Sequence, residues 1–286
     1  MSELKLSMIT DEMTQNLEEA IAFAVEHGMQ GVELRSVDDT TIGNIPNEKL
    51  HEYKKLLNEA GLQVVSLASP LCKCVLKEEN LPAEEARLEC LLEACEILGA
   101  PSIRAFAFVT EGEKPSVETL AKVLMPFVEK AWAKGIKLCF EADPSVNTTN
   151  HAQLSALLNL INHPGAGAIF DPGNDIWDCE NEVPYPDGFE AIANRVFHVH
   201  VKDAVKTETH IDAVCPGTGA VDYPGLMKAL TKMGYQGFFS MEPHYRVAAQ
   251  LSEEQLQRPG GDAFSQGGLQ AMEESTQAFR KLYAEA

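Results

Sequence analysis

The chain has 286 residues, 45% of them apolar and 7% aromatic, with 43 Asp plus Glu against 23 Lys plus Arg and a formal charge of −20. This is globular composition, which excludes disordered and collagen-like polymers, and a surface so acidic repels phosphate backbones and anionic lipid, so neither nucleic acid nor membrane is an expected partner. The seven cysteines lack CxxC spacing and read as free thiols of a reducing compartment; with no basic leader before a long apolar run, and no membrane-length apolar segment, a cytoplasmic protein is expected.

In chain order, short β-rich runs alternate with segments of 3.6-residue periodicity. LKLSMI is the first strand. LEEAIAFAVEHG follows as a helix, with Leu17, Ile21, Ala24 and Val25 on one stripe and a stop at Gly28. GVELR is the second strand, and NEKLHEYKKLLNEAG is a helix presenting Leu50, Tyr53 and Leu57 and ending at Gly61. QVVSLAS, the helix EEARLECLLEACEILG ending at Gly99, and SIRAFAF continue the pattern. VETLAKVLMPFVEKAWAKG is a helix ending at Gly135, in which Pro126 predicts a kink. The strands IKLCFEA, GAIF, RVFHVHV and GFFSME complete a set of eight. An irregular stretch from Val247 to Gly268, rich in Gly and Pro, precedes a closing helix near Leu269 to Tyr283. Its length and its place after the last strand predict a lid more mobile than the rest.

Regular strand and helix alternation implies parallel strands joined by crossover helices. Eight units in a chain somewhat longer than the roughly 250 residues typical of the fold point to an α/β (β/α)₈ TIM barrel, a single domain over 1–286. The rival, a doubly wound open sheet, lacks the glycine-rich phosphate turn expected after its first strand.

A barrel carries its chemistry at the C-terminal ends of its strands. The fifth strand ends in Glu141, the sixth in Asp171, the seventh contains His198 and His200, and the eighth ends in Glu242. Singly, such a glutamate is commonly an ion-pair member. Three carboxylates and an imidazole at the same level of four successive strands suit one divalent ion: Mn²⁺ is expected, with Mg²⁺, Co²⁺ and Zn²⁺ as alternatives. Strand alternation puts His198, His200 and Lys202 on one face and Val199 and Val201 on the other. His200, nearer the strand end, is the expected ligand. His198 reads either as a hydrogen-bonded histidine one layer deeper or as a substrate contact, and Lys202 as a substrate contact or the partner of Asp203. Arg104, in phase with Phe106 and Phe108, could clamp a hydroxyl, carboxylate or phosphate. Ser69 and Lys73 follow the third strand, Lys73 facing either the pocket or solvent. His244 shares a face with Glu242 and is expected in the pocket, with Arg246 beside it.

From GVELR through LCFEADP, IFDPGN, HVHVKD and CPGTGAVDY to GYQGFFSMEPH, nearly the whole chain resembles the xylose-isomerase-like TIM-barrel superfamily, in its sugar phosphate isomerase/epimerase branch with ketose 3-epimerases and hydroxypyruvate isomerase. The resemblance implies that Glu141, Asp171, His200 and Glu242 hold the metal and that Glu141 and Glu242 double as the proton-transfer pair. Two positions depart from it. Asn174 stands where ketose epimerases often place a substrate-binding histidine, and their arginine after the metal histidine has only Lys206 as a nearby counterpart.

The expected function is isomerisation or epimerisation of a small carbohydrate, sugar or sugar phosphate, through a metal-stabilised enediolate. A metal-dependent lyase acting on a keto-sugar or keto-glycoside uses the same groups. An endonuclease IV-like phosphodiesterase would need early-strand histidines and a basic surface, and a non-catalytic sugar-binding barrel would not need the quartet. A homo-oligomer is compatible with the sequence.

Overall fold

The computed structural model describes residues 4–257 and 259–286. Eight parallel strands follow one another around a barrel: β1 (Leu6–Met8), β2 (Gly31–Leu34), β3 (Gln63–Leu71), β4 (Ser102–Ala105), β5 (Lys137–Glu141), β6 (Ala166–Phe170), β7 (Val196–Val201) and β8 (Phe239–Met241). From β2 to β8 each strand pairs with its neighbour in sequence, and β8 also pairs with β1. A parallel bridge between Ile9 and Glu33 joins β1 to β2 and closes the ring.

Between the strands run α1 (Leu17–Glu26), α2 (Asn47–Glu59), α3 (Leu81–Leu98), α4 (Val117–Ala133), α5 (His151–Ile161), the short α6 (Phe189–Ile192) and α7 (Tyr223–Met233), with α8 (Gly268–Glu285) closing the chain. Four of their starts are marked by a side-chain cap. The Asn16 side chain accepts from the amides of Glu18 and Glu19, and Ser116, Asn150 and Asp222 cap α4, α5 and α7 in the same way.

One helix expectation needs correction. In α1 the buried residues are Leu17, Ala20, Phe23 and Ala24, whereas Val25 is 51% exposed. Val25 lies about 100° beyond Ala24 around the helix, outside the face that meets the barrel. In α4, Pro126 lies inside a helix that runs without interruption to Ala133.

Core packing lies largely between strands and helices. Along β7, Val199 and Val201 join that core, while His198 and His200 alternate with them. After β8 the chain passes through two short helical segments, Glu253–Gln257 and Asp262–Ser265. Arg258 of the expected lid lies outside the described residues. Among the described residues no helix is long and apolar enough to cross a membrane.

Candidate metal centre and substrate cavity

The ends of β5, β6, β7 and β8 bring Glu141, Asp171, His200 and Glu242 to one point, where one donor atom from each lies within 4.8 Å of all the others. Donors sharing one ion at bond lengths of about 2.0–2.3 Å stand roughly 3–4.5 Å apart, so the spacing fits a single divalent cation. His200 Nδ1 is 3.2 Å from Glu141 Oε1, 2.9 Å from Glu242 Oε2 and 4.0 Å from Asp171 Oδ2. Asp171 is aimed by its other oxygen: Oδ1 accepts from the amides of Gly173 and Asn174.

Asp171 Oδ2 is buried and makes no hydrogen bond. Lys202 Nζ is only 2.7 Å away, a charge contact at an angle unsuited to hydrogen bonding. A buried carboxylate oxygen left unsatisfied beside three other donors is what a metal ligand looks like without its ion.

Local sequence explains the approach of these groups. Gly173 follows the aspartate in IFDPGN, and a Cβ there would come within 2.5 Å of Lys202 Cγ. Only glycine lets the turn after β6 lie against the lysine that contacts Asp171.

The charges are strongly coupled. Burial pushes Asp171 up to about 7, with Lys202 opposing and the charges of Glu242 and Glu141 adding to the rise. Burial also penalises ionised Glu242, but Lys202, His200 and His244 hold its carboxyl well below the usual range. Glu141 is held low against burial by Arg104 and His200. For His200 burial favours the neutral ring, and the charges of Glu33, Glu242 and Glu141 overcome it and raise the imidazole well above its ordinary value.

Above the quartet opens a cavity of about 950 Å³. Of the residues expected at the site, Lys73, Arg104, Glu141, Asn174, Lys202, Glu242 and His244 line it. Asn174 Nδ2 donates to the Ala142 carbonyl at 2.9 Å and to Glu141 Oε1 at 3.3 Å. The three cationic groups among them are already engaged. Lys73 Nζ donates to Asp143 Oδ2 at 2.8 Å. Arg104 donates to Glu141 Oε2 at 3.0 Å and to the carbonyls of Ala68 and Ser69. Lys202 contacts Asp171 and Glu242 rather than Asp203.

His198 lies one layer deeper, outside the cavity lining, with Nε2 2.9 Å from Glu33 Oε2. Ser69 Oγ donates to the Arg104 carbonyl, and Arg246 donates to backbone carbonyls of residues 245, 264 and 266. Lys206 is turned to Asn181 Oδ1 at 2.7 Å. The segment after β8 reaches the mouth, where Leu256, Pro259, Gly260 and Gly261 contribute to the lining.

Several participants were not singled out from sequence. Arg35 lines the cavity and donates to Asp11, Glu12 and Glu242, at 2.7 Å to Glu12 Oε1 and 3.2 Å to Glu242 Oε1. Glu12 also stands 2.9 Å from His244 Nδ1, without hydrogen-bond geometry. The signal for Arg35 was present in GVELR, where it follows Glu33 by two residues, just past the end of β2.

Eight parallel strands around a buried carboxylate and histidine quartet define a TIM barrel with its candidate chemistry at the C-terminal mouth. The chain belongs to the xylose isomerase-like TIM barrel family, whose model matches residues 21–267. It is 23% identical over 265 residues to an inosose isomerase of Bacillus velezensis, covering 82% of this chain and 87% of that one. Its fold is similar to that of the IOLI protein crystallised with a binding zinc atom, at a TM-score of 0.75 and 18% identity over 99% of both chains. An L-ribulose 3-epimerase is also similar, with a TM-score of 0.71 and 17% identity over 99% of this chain and 95% of that one.

Proposed function

We propose that this protein is a divalent-metal-dependent isomerase or epimerase of an unphosphorylated polyhydroxy ketone, of the inosose or ketose class. The observation that carries the reading is the quartet Glu141, Asp171, His200 and Glu242 beneath a cavity that Glu141 and Glu242 line together with other ionised and hydrogen-bonding groups. Likeness to an inosose isomerase over most of both chains supports the substrate class. An oxygen-rich donor set with one imidazole favours Mn²⁺.

When bound, the ion supplies Lewis-acid polarisation of the substrate carbonyl and acidifies the neighbouring C–H. The chain's residues do the rest. Glu141 and Glu242, both held in the ionised form by their neighbours, provide two carboxylates: one removes the carbon-bound proton and the other returns one. Return to the same carbon from the opposite face inverts it, and return to the adjacent carbon moves the carbonyl. Asn174 and Arg104 hold Glu141 by both oxygens, and Arg35 and Lys202 hold Glu242 by both.

Two features favour a neutral substrate. Arg35, Lys73, Arg104 and Lys202 each lie against carboxylates and have no charge to spare for a phosphate. The glycine-rich CPGTG loop after β7, where barrels often seat a phosphate, is filled by the protein's own anion. Asp203 accepts from the amides of Gly217 and Gly219 at Oδ2 and from those of Ala204 and Val221 at Oδ1.

The direct test is metal content of the purified protein, followed by a Mn²⁺-supplemented screen of inososes, free ketoses and their phosphate esters. Turnover of a free polyhydroxy ketone that chelation abolishes is expected. Full activity in metal-stripped protein, or a requirement for the phosphate ester, would overturn the reading.

A further inference from the structure

Strand β2 supplies an inward residue that the reaction above does not use. Glu33 is completely buried, and the pairing of β2 with β3 shifts register between Val32 and Glu33. Such an irregularity locally re-aims a side chain. Here the carboxylate points beneath the quartet, where Oε2 is 2.9 Å from His198 Nε2 and 3.2 Å from His200 Nε2.

An ionised carboxylate only accepts, so both contacts place a proton on Nε2 of each ring. In a neutral His200 the lone pair is then on Nδ1. Nδ1 is the nitrogen that faces Glu141, Glu242 and Asp171. The tautomer that suits Glu33 is therefore the tautomer that can bind an ion among those three carboxylates. His198 stands edge-on to His200, with ring centroids 5.3 Å apart at 90°, and approaches the same carboxylate oxygen.

We propose that Glu33 is the positioning residue of the metal centre: it fixes the tautomer and ring angle of His200 so that Nδ1 is presented to the ion, with His198 holding Glu33 in place from below. Neither Glu33 nor His198 lines the cavity, so neither touches substrate. The proposal rests on the metal-dependent reading above. It gives GVELR and the first histidine of HVHVKD a shared task.

The test reads metal binding directly. Mn²⁺ is titrated by electron paramagnetic resonance into metal-stripped wild type, Glu33→Gln and His198→Gln, with thermal melting as the control for folding. Histidine ¹⁵N spectra of the Zn²⁺-loaded wild type report which ring nitrogen binds the ion. Glu33→Gln is expected to weaken Mn²⁺ binding by about 10–100-fold, and His198→Gln by less, as for loss of a carboxylate behind a ligating histidine. The spectra are expected to show metal on Nδ1 and a proton on Nε2 of His200. Unchanged Mn²⁺ affinity in folded Glu33→Gln, or metal on Nε2, overturns the proposal while leaving a metal enzyme intact. Absence of Mn²⁺ binding by the wild type removes both readings. If Glu33→Gln does not fold, the wild-type spectra alone decide.

Discussion

Arg104 Nη1 donates to Glu141 Oε2 at 3.0 Å and stands 3.8 Å from Glu242 Oε1, so one guanidinium spans both candidate proton-transfer carboxylates. Its other nitrogens donate to the carbonyls of Ala68 and Ser69, which fix its plane. Burial alone would push Glu141 up, and Arg104 is the first of the groups holding it down. Arg104→Gln should therefore lower kcat on the order of 10²-fold, as for loss of a preorganised charged partner. The acid limb of the pH–rate profile should move to higher pH, because the base must be ionised. An unmoved acid limb in that variant would show that Arg104 does not set the state of Glu141.

The segment after β8 is tied across the mouth by particular bonds. The Gly261 amide donates to Ser36 Oγ at 3.2 Å, the Asp262 amide to Asp39 Oδ1 at 2.9 Å, and Ser265 Oγ to the Asp11 carbonyl at 2.7 Å. If this segment closes over substrate, Ser36→Ala should raise KM by about 5-fold, the equivalent of roughly one net hydrogen bond. The effect on kcat should be smaller. Steady-state kinetics with KM unchanged would mean that the Ser36 contact makes no contribution to holding substrate.

A stability prediction concerns a group away from the cavity. His151, fully buried, stands with Nδ1 2.7 Å from Asp175 Oδ2. Burial favours its neutral form, but Asp175 and Glu182 raise its pKa above the usual histidine value. A raised folded pKa gives stabilisation that is fully present below the unfolded value of about 6.5 and is lost as pH rises through the folded value. The gap in Tm between wild type and His151→Gln should accordingly be widest in mild acid and narrow as pH climbs above neutrality. A gap that stays constant from mild acid well into the alkaline range would contradict a charged His151.

Asp203 organises the loop after β7 through four backbone amides. A Cβ at Gly219 would fall 2.2 Å from Asp203 Oδ1, so the loop is shaped around the carboxylate. Asp203→Asn should destabilise the protein by about 1.5–3 kcal/mol, the scale of hydrogen bonds to a charged acceptor. Millimolar inorganic phosphate should leave wild-type turnover unchanged. Competitive inhibition by phosphate would place an anion site in the cavity and count against a neutral substrate.

The barrel was legible because each strand carries its own local signal and the first four helices their own stops, as at Gly61 and Gly99, both at positive φ. The stripe of α1 was misread at Val25 because Ile21 and Val25 look more apolar than Ala20, while the barrel selects a face by geometry. The quartet was legible because strand ends of a barrel converge by rule. What lies behind it was not. Glu33 meets a histidine 165 residues away, and Arg35 meets Glu242 across 207 residues, and no local pattern specifies such pairs. Asp11 and Glu12 sit in a short turn after β1, where two acidic residues ordinarily signal a solvated loop. Lys202 was open either to a substrate contact or to pairing with Asp203, and alternation sends the two side chains apart, one to Asp171 and the other to backbone amides.

The central claim is that Glu141 and Glu242 move the substrate proton at a metal centre. It is tested most directly by exchange of the substrate's α-proton with solvent deuterium, followed by NMR on an inosose with Mn²⁺ replaced by diamagnetic Mg²⁺ or Zn²⁺. The wild type should exchange that proton in a reaction abolished by chelation, and Glu141→Gln and Glu242→Gln should each lose most of it while keeping the fold. Exchange at the wild-type rate in both variants would contradict the account and assign the proton transfer to another cavity residue.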